Sequence, residues 1–218
     1  MEQKNFRDCT LVFLDRTFGL RRLRKQPALT EWITTPAEIL PHEETILQLY
    51  KQSLEDNVQY WNEQELSLNF IGPIFSLVNF TEPYQYGFFA QRTITATVGN
   101  YELSGKPDGM IASGYGEPEI PFFAFQEYKR ESDPNGEAAG QCLAAMLVGQ
   151  TLNENTNIPI YGCYTIGRDW YFMTLMGKEY AISNVYAATT DDISTILQIL
   201  KSLKQIVIDI SSKLLLTN

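Results

Sequence analysis

The segment PFFAFQEYKRE, residues 121–131, constrains the fold most, because a continuous apolar run passes directly into charged side chains. An apolar run that does not alternate with polar residues is typical of a central strand covered on both faces. Since successive side chains of a strand point to opposite faces, Glu127 and Lys129 share one face and Arg130 takes the other. The segment therefore predicts a buried strand in a sheet flanked by helices, with charged side chains at its end.

Apolar residues at helical spacing predict helices before and after this strand. The predicted helical segments are one or two short helices within residues 6–35, broken at Pro27 and closed near Pro36, then residues 43–60, residues 61–80 with a kink at Gly72-Pro73, and residues 136–152.

Segments rich in β-branched and aromatic residues predict the other strands. These are a hairpin at residues 92–105 that turns at Gly99-Asn100, a strand at 108–114, a pair at 158–167 and 169–177 around Gly167-Arg168, and one more at 179–189. Helices before, between and after these strands predict an α/β fold, in which antiparallel hairpins are mixed into a central sheet.

The C-terminal segment, residues 189–216, shows the clearest helical pattern, with Thr190 as the cap and acidic residues in the first turn. Its apolar residues follow a seven-residue repeat at positions 193, 196, 200, 203, 207, 210 and 214. Two interpretations are open. The helix could form a homodimer as a coiled coil, or it could lie along the chain's own sheet.

Composition excludes several classes of function. The 218 residues include one histidine, His42, so a His-rich zinc site is impossible and a Ser-His-Asp triad could use only that residue. The three cysteines lie far apart in the sequence, which is typical of buried free thiols. No run of 18 apolar residues occurs, so we expect no membrane span, and we expect a cytoplasmic protein.

Three charged residues are candidates for a joint site, although each has an ordinary explanation alone. KPDG, residues 106–109, suits a type I hairpin turn, and Glu127 with Lys129 suits a salt bridge that faces solvent. However, Asp108 begins the strand that we expect to pair with residues 121–131. Charges at the end of a buried strand need a partner, and a divalent cation satisfies two carboxylates.

This pattern of Pro107-Asp108, then Glu127-Tyr128-Lys129, then a helix that carries Gln141, resembles the PD-(D/E)xK nuclease superfamily over residues 60 to 176. The resemblance implies a restriction-endonuclease-like core with a mixed central sheet flanked by helices. The implied organisation is a single domain, with an N-terminal helical extension at 1–60, the core at 61–176, and a terminal strand and long C-terminal helix at 177–218.

The resemblance also implies roles for individual residues. Asp108 and Glu127 would bind Mg²⁺, with Mn²⁺ as a substitute, and the carbonyl oxygen of Tyr128 would be a further ligand. Glu63 matches the early metal-binding glutamate of many members better than Glu65 does. Helical geometry agrees, because Glu63 lies on the apolar face of its predicted helix and Glu65 does not. Lys129 would orient the attacking water or stabilise the transition state as a point charge.

Gln141 is the second catalytic candidate that the resemblance implies. Members with a glutamine on this helix often carry a tyrosine four residues later, whereas this chain has Ala145. On its own, Gln141 would be interpreted as a surface amide.

The expected substrate is nucleic acid, with DNA favoured over RNA. The net charge of −9 opposes general attraction to a polyanion, so local contacts are needed. The basic run LRRLRK supplies candidates for phosphate contacts, although such runs are usually solvated helix faces. The candidates are Arg21, Arg22, Arg24 and Lys25.

Two other functions are compatible with the same residues. One is a catalytically inactive nuclease-fold scaffold that binds a partner protein through the C-terminal helix. The other is a hydrolase that uses the same carboxylates on RNA or on nucleotides, because metal chemistry is shared and substrate choice depends on loops.

Overall fold

The computed structural model of the chain describes residues 1–132 and 137–215, with side chains as far as residue 213. The fold is mixed α/β, with a mixed central sheet flanked by helices, as the sequence predicts. The helices are α1 Leu11–Phe18, α2 Pro27–Thr34, α3 Pro41–Asn57, α4 Glu63–Leu66, α5 Gly72–Val78, α6 Ala138–Leu152 and α7 Asp192–Leu215, with a 3-10 turn at Phe6–Asp8 and a π-helical turn at Ser67–Ile71.

The strands form two sheets. Their bounds are β1 Glu2–Asn5, β2 Arg21–Arg22, β3 Tyr86–Ala90, β4 Ile94–Val98, β5 Tyr101–Gly105, β6 Gly109–Ser113, β7 Glu119–Lys129, β8 Ile160–Ile166, β9 Asp169–Met176, β10 Glu179–Ile182 and β11 Tyr186–Ala187. The larger sheet has the order β2-β10-β9-β8-β7-β6-β3, with β11 paired to β9, and the smaller one has the order β1-β5-β4.

Strand β7 is the central strand that the sequence predicts. It pairs with β6 in antiparallel and with β8 in parallel orientation, and α6 connects the two parallel strands. Residues 122–127 of β7 are buried, because α6 and α1 cover one face of the sheet and α2, α3, α5 and α7 cover the other. The charged end of β7, with Glu127 and Lys129, therefore lies between the apolar cores on the two faces of the sheet.

The hairpin predicted around Gly99-Asn100 is confirmed, but it lies outside the central sheet. Strands β4 and β5 pair with one another, and β5 pairs further with the N-terminal strand β1. Residues 106–108 therefore connect two sheets, and the interpretation of KPDG as a hairpin turn is wrong. The physical reason is the pairing of β5 with Glu2–Asn5, a short polar strand without alternating apolar residues to signal it.

The N-terminal region departs from the helical prediction in two places. Gly19, with φ of 67°, ends α1 in the left-handed conformation, and the basic residues Arg21–Arg22 then form the edge strand β2 rather than a helix. Pro27 does not break a helix but begins α2, where its missing N–H costs no hydrogen bond.

Residues 63–78 form one continuous helical path with an irregular middle. The N–H of Gly72 donates to the carbonyl oxygen of Ser67, five residues earlier, so the irregularity predicted at Gly72-Pro73 is a π-helical turn. Further along, residues 80–91 contain strand β3, which the sequence analysis missed, and residues 179–189 contain two short strands instead of one.

The C-terminal helix α7 packs along its own chain. The heptad positions Ile193, Ile196, Leu200, Leu203 and Val207 are buried in the core that α7 shares with α2, α3 and α5, and position 214 lies outside the described side chains. This packing agrees with the second interpretation of the repeat, and a homodimer through this helix stays a prediction.

Thr190 caps the helix as expected, since its hydroxyl accepts from the backbone N–H of Asp192 at 3.2 Å. Within the described residues, no helix has both the length and the apolarity needed to cross a membrane.

Candidate functional site

The site begins where β6 starts and β7 ends. Backbone pairing between β6 and β7 stops at Gly109 and Gln126. Asp108, the residue just before β6, contacts β7 through its side chain instead of its backbone. Its Oδ2 accepts a hydrogen bond from the backbone N–H of Tyr128 at 2.9 Å, and its Oδ1 accepts one from Gln91 Nε2 at 2.6 Å. Asp108 is thereby held against β7, with 8% of its surface exposed.

Glu127, Lys129 and Glu63 complete the charged cluster. The Lys129 ammonium lies 3.2 Å from Glu127 Oε1 and 3.7 Å from Glu63 Oε2. Glu127 is 6% exposed and lies on the same face of β7 as Lys129, as strand alternation predicts. The structure therefore brings Asp108, Glu127, Lys129 and Glu63 to one end of the sheet.

The electrostatics of the cluster show an excess of negative charge. Burial and the charge of the neighbouring Glu63 raise the pKa of Asp108 to about 6, against the opposing effects of the Tyr128 N–H and Lys129. Burial and the charge of Asp108 raise the pKa of Glu127 to about 8, against the opposing effect of Lys129. Burial and the shared negative charge therefore make the ionised form of both carboxyl groups unfavourable, most of all that of Glu127, unless additional positive charge is nearby.

Lys129 responds in the opposite way. Burial by itself lowers the pKa of Lys129, but the charges of Glu127 and Glu63 outweigh burial and raise it above its usual value. The side chain is therefore an ammonium at neutral pH. It can supply a positive charge to a phosphate or hold a water molecule, and it is not a general base.

Glu63 and Glu65, the two candidate glutamates of α4, make different contacts. Glu65 is engaged in a capping box, because its Oε2 accepts from Asn62 N at 2.8 Å and its N–H donates to Asn62 Oδ1 at 2.9 Å. Glu63, two residues earlier, is directed to Lys129. The preference for Glu63 over Glu65 thus agrees with the geometry.

Gln141 is not the surface amide of its ordinary interpretation. It lies in the first turns of α6, is 6% exposed, and its Nε2 has no hydrogen-bond partner in the described part of the chain. A buried amide donor without a partner is unfavourable, and such groups are often functional. Gln141 remains a catalytic candidate, on the helix that packs on β7 and β8.

The basic run is not part of this cluster. Arg21 and Arg22 form β2, which lies four strands away from β7 in the sheet order, and Arg21 pairs with Glu179. Arg24 and Lys25 follow in an exposed connection. Among these four residues, Arg22 lies near enough to Tyr164, the residue of β8 that pairs with Glu127, to act on it electrostatically.

Two glutamines near the site, Gln91 and Gln126, were not predicted from the sequence. Gln91 follows the unpredicted strand β3, has φ of 54°, and donates to Asp108. Gln126 neighbours Glu127 on the other face of β7, and its Nε2 is buried without a partner among the described residues. The sequence offers a signal only for Gln126, which is an amide inside an otherwise apolar strand and lies close to the predicted site residues Glu127 and Lys129.

The carboxylates of the charged cluster are the possible ligands for a metal ion. Across residues 1–132 and 137–215, no group of three or more His, Cys, Asp or Glu side chains could hold a metal ion as arranged. Glu63 contacts the Lys129 ammonium, which also contacts Glu127, and its role as a further metal ligand stays a prediction. Asp108 and Glu127 are hard oxygen donors, and Mg²⁺ needs only one or two such carboxylates because it keeps several waters. The residues present therefore fit Mg²⁺ with this pair as ligands.

Comparison of the sequence with models of protein families finds no match, and comparison with curated proteins finds no significant match.

Proposed function

We propose that the protein is a Mg²⁺-dependent nuclease with a restriction-endonuclease-like core, which hydrolyses phosphodiester bonds of nucleic acid, with DNA the expected substrate. The observation that carries the proposal is the convergence of Asp108, Glu127 and Lys129 at one end of β6 and β7. These are the three positions that the PD-(D/E)xK pattern specifies, and Asp108 lies in the connection before β6, whereas Glu127 and Lys129 lie in β7.

The excess negative charge supports the same proposal. Two buried carboxylates with raised pKa values are unfavourable for folding unless a cation compensates them. A bound Mg²⁺ would neutralise charge on a phosphate and lower the pKa of a coordinated water. Asp108 and Glu127 would hold the ion, with Mn²⁺ as a substitute.

The other residues have separate tasks in this proposal. Lys129 keeps its proton and places a positive charge next to Glu127, where it would stabilise the negative charge that develops on the scissile phosphate. Glu63 holds the Lys129 ammonium in position. Gln91 fixes the orientation of Asp108, and Gln141 offers a free amide donor.

The experiment is a cleavage assay of plasmid and single-stranded DNA with pure protein, with and without Mg²⁺ or Mn²⁺. Asp108→Asn and Glu127→Gln keep the size of each side chain but remove its charge, and both should abolish metal-dependent cleavage. Glu65→Gln is the matched control for the acidic residues, because Glu65 is tied to the cap of α4. The proposal is wrong if both carboxylate variants cut as fast as the wild type.

The alternative function, an inactive scaffold that binds a partner protein, was favoured by the apolar repeat of α7. The apolar repeat of α7 is covered by the chain's own core, so it does not present a free surface for a partner protein. In an inactive scaffold, no bound cation would offset the unfavourable burial of the Asp108 and Glu127 carboxylates. The alternative stays a prediction that the same metal-dependent assay decides.

A further inference from the structure

A large cavity opens beside the carboxylates. Its volume is about 1050 Å³, at the upper end for ligand pockets. It shares Asp108 and Glu63 with the charged cluster and extends from there between α3, the helical path of residues 63–78, and β3. The cavity lies on the face of β7 to which Gln126 and Tyr128 point, whereas Glu127 and Lys129 take the other face.

The walls of this cavity are mainly apolar and aromatic. They include the side chains of Phe75, Phe88 and Tyr128, with Leu68 at the rim, where it is 67% exposed. Aromatic and aliphatic walls of this kind suit a flat ring, because stacking on a ring face is favourable and tolerates different ring systems.

Away from the proposed metal ligand Asp108, the described lining of the cavity offers no positive charge to a phosphate. Among the described residues that line the cavity, Glu63 and Asp108 are acidic and none is a lysine or an arginine. An anionic group would be repelled there, so a strand bound at the carboxylates would keep its backbone outside. A neutral, planar part of the ligand must enter instead.

Gln126 supplies a specific polar contact. It is 3% exposed and lines the cavity, and its Nε2 has no hydrogen-bond partner in the described residues. A buried amide donor without a partner costs free energy, which an acceptor on a ligand would recover. Ring nitrogens and exocyclic oxygens of nucleobases are acceptors of this kind.

We infer that the cavity binds one unpaired nucleobase next to the scissile phosphate, so that the substrate is single-stranded or locally unpaired nucleic acid. This inference rests on the proposed nuclease function. A base within a duplex is stacked and paired, and it can enter a pocket only after it leaves the helix. The base stacks among Phe75, Phe88 and Tyr128, and its edge accepts a hydrogen bond from Gln126.

The test uses fluorescently labelled single-stranded DNA in which one abasic site is moved through the sequence position by position. Binding is measured by anisotropy with Ca²⁺ in place of Mg²⁺, and cleavage of the same strands is measured with Mg²⁺. One abasic position should weaken binding roughly 5- to 100-fold, as expected for the loss of one base stack. A 2-aminopurine at that position should lose fluorescence on binding.

Two variants address the cavity itself. Ser76 is exposed and lines the cavity, so Ser76→Trp fills it without entering the core. Ser212→Trp is the matched control, because Ser212 is an exposed helical serine that does not line the cavity. Gln126→Leu keeps the side-chain volume and removes the unpaired donor, so it should weaken binding of the intact strand without lowering thermal stability.

The outcomes separate the inference from the proposed function. If all abasic strands bind and are cut equally well, the base site is wrong and the nuclease remains. If one position matters for binding and Ser76→Trp abolishes the difference, but no strand is cut, the base site stands and the nuclease fails. If the wild type neither binds nor cuts any strand, or if Ser76→Trp and Ser212→Trp behave alike, the base site is wrong.

Discussion

Two buried glutamates in this protein each meet a lysine, but their surroundings differ. Glu43, at the start of α3, accepts from Lys201 of α7 at 2.9 and 2.7 Å and from the backbone N–H of Leu40 at 2.7 Å. Burial alone would raise the pKa of Glu43, but these hydrogen bonds outweigh burial and lower it. This pair is balanced, with one positive charge for one negative charge, and it fastens α3 to α7.

At the end of β7, three carboxylates share one ammonium. Lys129 contacts both Glu127 and Glu63, and Asp108 lies close enough to raise the pKa of Glu127 further. The balanced Glu43–Lys201 pair therefore has a structural role. The unbalanced cluster at the end of β7 is unfavourable for folding, and a bound cation would offset that cost.

Removal of Lys129 and removal of Lys201 should have very different effects on cleavage. Lys129→Met should lower metal-dependent cleavage at least about 100-fold, because a positive charge next to the scissile phosphate is lost. Lys201→Met should cleave within about twofold of the wild type at a temperature where both are folded, since α7 contributes no residue to the charged cluster. Arg130→Met controls for the loss of a neighbouring charge, and equal losses in the Lys129 and Arg130 variants would contradict the assignment.

The two glutamates should also respond to pH with opposite signs. The folded pKa of Glu127 is raised from 4.5 to about 8, so its contribution to metal-free stability is present at low pH and is lost as the pH rises through that range. The folded pKa of Glu43 is lowered, so its contribution is present above 4.5 and is lost as the pH falls below it.

Urea denaturation with EDTA measures this difference. At pH 8, Glu127→Gln should raise the free energy of unfolding by on the order of 3 kcal/mol over the wild type, with little effect at pH 4. Glu43→Gln should lower it at pH 8. Added Mg²⁺ should stabilise the wild type more at pH 8 than at pH 5, and should not stabilise Glu127→Gln comparably. The same sign for both glutamine variants at pH 8 would overturn the contrast.

Lys201→Met should destabilise the protein by about 2 kcal/mol at neutral pH, because it leaves Glu43 buried without its partner. The double variant with Glu43→Gln should recover part of that loss, as a thermodynamic cycle on thermal unfolding can show. A fully additive cycle would mean that the pair does not fasten the two helices.

The smallest effect concerns Gln91. Its φ of 54° is strained for a side chain other than glycine, and its amide donates to Asp108. Gln91→Ala and Gln91→Gly both remove the hydrogen bond, but the glycine relieves the strain and should give a stability about 1 kcal/mol higher than the alanine. Thermal melts of the two variants check this order, and equal melting temperatures would show that the backbone is not strained.

Much of the site could be predicted because its signals are local. Strand alternation places Glu127 and Lys129 on one face, and the apolar run before them marks a central strand. The contribution of Gln91 could not be predicted, since it depends on strand β3 and on an antiparallel pairing with β6 that no local pattern indicates. The position of Glu63 relative to Lys129 likewise depends on how the helical path of residues 63–78 packs on the sheet.

The central strand, the order of helices and strands between residues 108 and 177, the long C-terminal helix and the charged residues at the strand end could all be predicted from the sequence. These follow from side-chain periodicity, which acts over a few neighbouring residues. Only the tertiary structure decided that β5 pairs with β1, that the basic run lies four strands from the carboxylates, and that the apolar repeat of α7 is buried within the chain. Such choices depend on competition among distant segments for the same hydrogen bonds and apolar surface, and no single segment contains that information.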